Sequence, residues 1–234
     1  MISRSNLNAP EKLRAIYGFL KRSFGPQYWW PAKTPFEVTV GAILTQNTAW
    51  TNVEKAIASL RSAGQLSLSA LSGLPRKRLA RLIRPAGYFN VKAVRLQAWT
   101  RYLRAKGCKT DLKPLRGVPT EKLRHEMLEV KGIGPETADS ILLYALDRPV
   151  FVVDAYTKRV LSRHGLLDER ASYGETQDLF IRSLKPSVGL FNEYHALLVA
   201  LGKDYCRPRP KCAECPLNCL FPSKKAMLRV LLGR

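Results

Sequence analysis

Apolar residues recur at helical spacing along nearly the whole chain, and this pattern constrains the fold more than any other feature. The clearest strand-like run, PVFVV at 149–153, is too short to found a sheet. The sequence therefore predicts an all-α protein of about ten helices. Thr34-Pro35-Phe36-Glu37 has the pattern of a capping box with proline in the first turn, and it opens the apolar run FEVTVGAILTQ, interrupted only by Thr39 and Gly41. TNVEKAIASLRSAG reads as an amphipathic helix ending at Gly64, and PRKRLARLIRPAG as a short basic helix stopped by Pro85 and Gly87. NVKAVRLQAWTRYLRAKG is long and amphipathic, with Val91, Val94, Leu96, Trp99 and Leu103 as its expected anchors. Asp154 is the expected N-cap of a helix over DAYTKRVLSRHG.

Charge narrows the function. The 234 residues carry 39 Lys and Arg against 18 Asp and Glu, a net +21. A globular protein of that charge repels itself, and a polyanion relieves the repulsion. The cations are spread over the chain rather than gathered in a tail, which favours a folded nucleic-acid binder. Hydrophobic residues make up 46%, enough for a core and against disorder. No apolar run approaches bilayer length, and MISRSNLNAPEKLR lacks the long apolar segment of a secretory signal. These features predict a soluble cytoplasmic protein with no membrane partner.

LEVKGIGPETAD at 128–139 joins two helical segments. Gly132 and Gly134 permit a tight turn with positive φ, and Ile133 between them can plug the helix–helix core. Pro135 and Glu136 start the next helix, whose first N–H groups then face the turn. Main-chain donors and a helix dipole make an anion site suited to a DNA phosphate, read without sequence preference. An ordinary αα-turn is the plainer reading of the same glycines.

Four of the five cysteines crowd together in CRPRPKCAECPLNC as Cys206, Cys212, Cys215 and Cys219, spaced C-x5-C-x2-C-x3-C. In a cytosolic chain such spacing suits one metal centre better than disulfides. Zinc and a [4Fe–4S] cluster are both compatible with four thiolates. Cys108 stands apart as an incidental thiol.

The stretch LEVKGIGPETADSILLYALDRPVFVVDAYTKRV, 128–160, resembles the helix-hairpin-helix motif and following aspartate of the helix-hairpin-helix (HhH-GPD) DNA glycosylase superfamily. LTQNTAW at 44–50, PAGYFNVKAVRL at 85–96 and YWWPAKTPFEV at 28–38 are similar to the bacterial 3-methyladenine DNA glycosylases of its endonuclease III-related branch. The resemblance runs from about residue 28 to residue 219, and its motifs are ordered. It implies two helical lobes, one over 33–149 with the hairpin and one over 1–32 plus 150–234 with the cysteines, holding DNA and a flipped base in the cleft between them. It implies a monomer acting on damaged double-stranded DNA, associated with the nucleoid.

The resemblance also implies roles. Asp154 is the catalytic carboxylate, which stabilises positive charge on the sugar and activates water. Trp29, Trp30, Pro31 and Lys203 lie beside the flipped base, where a cationic purine gains cation–π stacking. Gln46, with Asn47 beside it in the same turn, fills the gap left in the duplex. The hairpin at Lys131, Gly132, Ile133, Gly134 and Glu136 takes a phosphate. The four cysteines hold a C-terminal [4Fe–4S] cluster rather than zinc, fixing a loop whose Arg207, Arg209 and Lys211 meet phosphates. The spacing departs from the branch's usual C-x6-C-x2-C-x5-C. A second departure bears on mechanism. Bifunctional endonuclease III enzymes carry a catalytic lysine two residues after the second hairpin glycine, and here Glu136 stands in that place. A carboxylate cannot form a Schiff base with the sugar C1′, so the implied activity is monofunctional, with an alkylated purine such as 3-methyladenine as the expected substrate. The alternatives are a bifunctional glycosylase/lyase acting on oxidised pyrimidines and a relative that binds DNA without turnover.

Overall fold

A computed structural model of the chain describes residues 7–218. Among the described residues there are twelve α-helices and no strand. None of these helices is long and apolar enough to cross a membrane. The described chain divides into two compact units: residues 30–148 form one, and residues 7–29 together with 149–218 form the other.

In chain order the first helix, α1 (Ala9–Phe24), belongs to the two-segment unit. The middle unit holds α2 (Pro35–Leu44), α3 (Trp50–Ser62), α4 (Leu68–Gly73), α5 (Arg76–Leu82), α6 (Phe89–Ala105), α7 (Lys113–Arg116), α8 (Thr120–Leu128) and α9 (Pro135–Leu146). The two-segment unit resumes with α10 (Ala155–Arg163), α11 (Tyr173–Ser183) and α12 (Val188–Asp204).

In the middle unit α2 is the central rod, buried from Phe36 through Leu44 and packed against α9, α3 and α6. Both interruptions of its apolar run have a purpose. Thr39 accepts a 2.9 Å bond from the Trp99 indole, and Gly41 leaves room for Trp30, whose ring lies 3.2 Å from where a Cβ would be. The helix starts on Thr34, whose hydroxyl accepts from Glu37 N. The Glu37 carboxylate does not complete the expected capping box; it is buried and pairs with Arg61 at 2.6 Å. A charge-assisted bond outcompetes a reach back to the cap.

Two expectations for α6 divide. Leu96, Trp99 and Leu103 are fully buried, whereas Val91 is 50% exposed and is no anchor. The inward position at that end is taken by Lys92, 1% exposed, because its ammonium finds three oxygens inside.

In the two-segment unit, 149–153 forms no strand. With no neighbouring ladder, its main chain is satisfied by side chains: the Gln177 amide donates to Phe151 O at 2.7 Å, and Val153 N donates to the Tyr173 hydroxyl. Phe151 stacks on Phe180 at 3.6 Å and meets Phe191 and Tyr194 edge-on. Each such aromatic pair adds roughly 0.5–1.5 kcal/mol beyond its buried area. The Tyr194 hydroxyl donates to Leu13 O, tying α12 to α1.

Candidate functional site

The hairpin joins α8 and α9, which are stapled by a two-pronged bond from the Arg124 guanidinium to the buried Asp139 carboxylate. Gly132 has φ +87, and a Cβ there would sit 2.3 Å from the Arg95 side chain, so glycine is required twice over. Gly134 does not share that geometry. Its φ is −97, and as N-cap of α9 it offers no side chain to the first-turn N–H groups. Ile133 is 4% exposed and fills the helix–helix core, while Lys131, Gly134 and Glu136 are exposed.

The turn after α2 is bonded to this hairpin. The Gln46 amide donates to Gly132 O at 3.0 Å and to Thr137 Oγ1 at 2.9 Å, and its carbonyl accepts from Arg95. Asn47 is exposed, with a left-handed φ of 53. The next residue, Thr48, is bonded the other way, to Ala86 O. Lys92 closes the arrangement: its ammonium donates at 2.8–2.9 Å to Leu44 O, Thr48 Oγ1 and Ala86 O. Burial first, and then the nearby Arg95 charge, lower its pKa from 10.5 to about 8. Beside this turn Tyr88 is 71% exposed at φ 44, an aromatic ring presented to solvent on strained backbone.

Asp154 caps α10, its Oδ1 accepting from Thr157 N at 2.7 Å. Its Oδ2 lies 3.5 Å from Nε2 of His195, a buried residue of α12. Burial alone would raise the carboxyl pKa. The bond and charge of His195, with the Thr157 N–H, outweigh burial and hold it below the usual carboxylate range. The site is a largely enclosed carboxylate held in its ionised form, with a partner at each oxygen.

The aromatic triplet is split. Tyr28 is 85% exposed at positive φ. The Lys203 ammonium lies 5.7 Å from the centroid of the Trp29 ring, so the structure brings these two together. Trp30 is built into the middle unit, edge-on to Trp50 at 5.0 Å and tilted on Tyr144 at 5.1 Å. Pro31 is exposed.

After α12 the chain turns through the cysteine loop. Arg159 donates to Cys206 O at 2.6 Å, and Arg163 donates to Cys206 Sγ, Arg207 O and Pro208 O. Arg207, Arg209 and Lys211 project outward from the loop so fixed, and Arg207 Nε also bonds Lys203 O. Cys206, Cys212 and Cys215 line one small cavity with Arg163, His164 and Tyr205. Burial, offset in part by main-chain N–H groups of Leu217 and Asn218, and the neighbouring Cys206 and Cys212 raise the Cys215 thiol pKa. A soft cation would relieve that repulsion, so the donors fit a thiolate-ligated metal in kind. Among the described residues no three side chains already form a closed ligand set, and Cys219 lies outside them. Cys108 is 2% exposed in the other unit's core.

Sequence reasoning passed over Lys92, Arg95, Tyr88, His195, Arg159 and Arg163. Arg159 and Arg163 carried a signal, since i,i+4 spacing puts both on one face of α10.

Comparison with known proteins completes the description. The family model described as "HhH-GPD superfamily base excision DNA repair protein" matches residues 40–186. The chain is 45% identical over 211 residues to the protein named "Putative DNA repair glycosylase MJ1434" of Methanocaldococcus jannaschii, covering 90% of this chain and 96% of that one. It superposes on a Helicobacter pylori 3-methyladenine DNA glycosylase bound to 1,N6-ethenoadenine with TM-score 0.71 and 29% identity, covering 84% of this chain and 98% of the other. A trapped endonuclease III–DNA covalent intermediate shares the fold at TM-score 0.78 and 20% identity, covering 98% and 100%.

Proposed function

The chain belongs to the HhH-GPD superfamily of base excision DNA repair proteins and is a DNA glycosylase, and from that premise we propose that it excises an alkylated purine such as 3-methyladenine without cutting the strand. The observation that carries this reading is the pairing of an ionised, doubly oriented Asp154 with Glu136 where a lyase would need an amine. The similarity to a 3-methyladenine glycosylase at 29% identity supports the substrate class.

The chemistry needs little more. An alkylated purine carries positive charge, so when the C1′–N bond breaks its electrons neutralise the departing base and no acid is required. Positive charge then develops on the sugar, and the fixed Asp154 carboxylate stabilises it. Water adds to C1′ and its proton passes to that carboxylate, leaving an abasic site. Trp29 with Lys203 above it offers one face to the extruded base. The hairpin main chain at 131–136 takes a backbone phosphate, and Gln46 with Asn47 enters the gap in the duplex. In this structure Gln46 is bonded to Gly132, Thr137 and Arg95, so entry exchanges those bonds for bonds to the orphaned base. Cys206, Cys212, Cys215 and Cys219 would hold a [4Fe–4S] cluster whose contribution is to fix the loop bearing Arg207, Arg209 and Lys211. Iron and sulfide analysis of the purified protein should find both; one zinc per chain would reject the cluster.

A panel of damaged duplexes scored for base release tests the reading. The expected result is release of 3-methyladenine, with strand breaks only after alkali or heat. A covalent adduct trapped by borohydride, with strand cleavage keeping pace with base release, would overturn it in favour of a lyase acting through another amine.

A further inference from the structure

Between Lys55 and Thr110 the sequence holds thirteen Lys and Arg and no Asp or Glu. Several are engaged inside the fold: Arg61 by Glu37, Lys106 by Glu126, Lys92 by three oxygens and Arg95 by Gln46. The densest group that remains is Arg76, Lys77, Arg78, Arg81 and Arg84. All five are exposed, and the ion pairs formed among the described residues include none of them.

Four of these cations lie on α5 and the fifth on the 3-10 turn Arg84–Ala86 that follows. Leu79, Ala80 and Ile83 are buried beneath them, so the group is mounted on a fixed base. The first turn of α5 has no acidic residue and no side-chain cap, and it carries three cations instead. Cations at that end oppose the helix dipole and weaken the helix. Fold stability therefore does not account for their placement.

Their neighbourhood suggests an occupant. Ala86 O accepts from both Lys92 and Thr48, so the turn bearing Arg84 is bonded to the turn bearing Gln46 and Asn47. On its other flank that same turn is bonded to the hairpin through Gly132 O. A residue entering the base stack has one sugar–phosphate backbone on each side. If the hairpin takes one backbone, the cations beside Ala86 lie toward the other. Nine residues at helical rise extend about 13 Å, along which one strand presents roughly four phosphates.

We propose that Arg76, Lys77, Arg78, Arg81 and Arg84 form a second phosphate-binding ridge, which grips the DNA strand complementary to the one carrying the damaged base. The proposal rests on reading Gln46 as the residue that enters the duplex.

The test compares wild type with an Arg76→Gln/Lys77→Gln/Arg81→Gln/Arg84→Gln variant by fluorescence anisotropy across a salt series. The ligands are a duplex containing a tetrahydrofuran abasic analogue and the analogue-bearing strand alone. Duplex affinity should fall tenfold or more, and the slope of log affinity against log salt should flatten by about 2–4. Affinity for the single strand should change less than twofold. Arg81→Gln/Arg84→Gln alone disturbs α5 least and should flatten the duplex slope by about 1–2, so the ridge is still tested if the fuller variant folds poorly. An unchanged duplex slope overturns the proposal. So does an equal loss on single strand and duplex, or an equal loss on an RNA duplex of the same length, since either marks a general polyanion patch. Because binding is measured on an uncleavable analogue, absence of base release by wild type would count against the glycosylase chemistry and leave the ridge result standing.

Discussion

Each of the two units encloses a charge near its proposed working part, Asp154 in one and Lys92 in the other, and the two are accommodated in opposite ways. Asp154 sits at the start of a helix with a main-chain N–H on one oxygen and His195 beside the other, and its ionised form is favoured. Lys92 sits among three neutral oxygens with a like charge nearby, and its ionised form is disfavoured. The carboxylate proposed for chemistry has the His195 imidazole beside it. Lys92 is given only dipoles and supplies three N–H bonds in a fixed fan.

The largest expected effect breaks the first half of that contrast. Asp154→Asn keeps an N-capping side chain, so the fold and most DNA affinity should survive, while single-turnover base release falls by on the order of 10²–10⁴. Near-wild-type release by the folded variant would remove Asp154 from the reaction.

Lys92→Met addresses the second half. It leaves Leu44 O, Ala86 O and Thr48 short of a donor, and urea unfolding should show a loss of about 1–3 kcal/mol. The titration has a defined sign. With a folded pKa near 8 and an ordinary value of 10.5, the unfolded chain binds more protons between those pH values. This lysine therefore makes stability rise with pH across that window, and the rise should vanish in Lys92→Met. Equal slopes in both proteins would show that Lys92 keeps an ordinary pKa.

The smallest effect sharpens the comparison by removing the imidazole beside Asp154 alone. His195→Leu should let burial act unopposed on one Asp154 oxygen and raise its pKa. The acid limb of the excision profile should then move to higher pH, with the neutral-pH rate little changed. Stability from Asp154 is complete above the ordinary carboxylate range and is lost as pH falls through its lowered folded value. In His195→Leu that loss should be smaller, because the folded value moves up toward the ordinary one. An unmoved acid limb would mean His195 only fills space.

What was legible in the sequence follows from distance along the chain. The helix starts at Thr34 and Asp154 and the buried Ile133 between two glycines are decided within four residues, and they read directly. Gly134 misled because composition shows that a glycine permits positive φ, not whether the chain uses it. Val91 misled because helical phase marks an inward position only to within a residue, and the three oxygens that draw Lys92 inward come from other segments. The neighbours of the candidate site residues lie farther still: His195 is 41 positions from Asp154, and Gly132 is 86 from Gln46. Resemblance named Gln46 and Asp154, but their bonds depend on which helices meet, and no local pattern encodes that.

The two-segment unit has a consequence for synthesis. Tyr194 bonds Leu13 across 181 positions, so α1 must wait for its partner while the whole middle unit leaves the ribosome. The 30–148 unit has all its segments in one run and is free to form first. Closing so wide a loop costs chain entropy before any contact across it repays the cost. A nascent chain would therefore carry its hairpin and exposed cations well before its Asp154 is set in place. The part of the chain proposed to grip DNA is thus contiguous, and the part proposed to cut it is closed last.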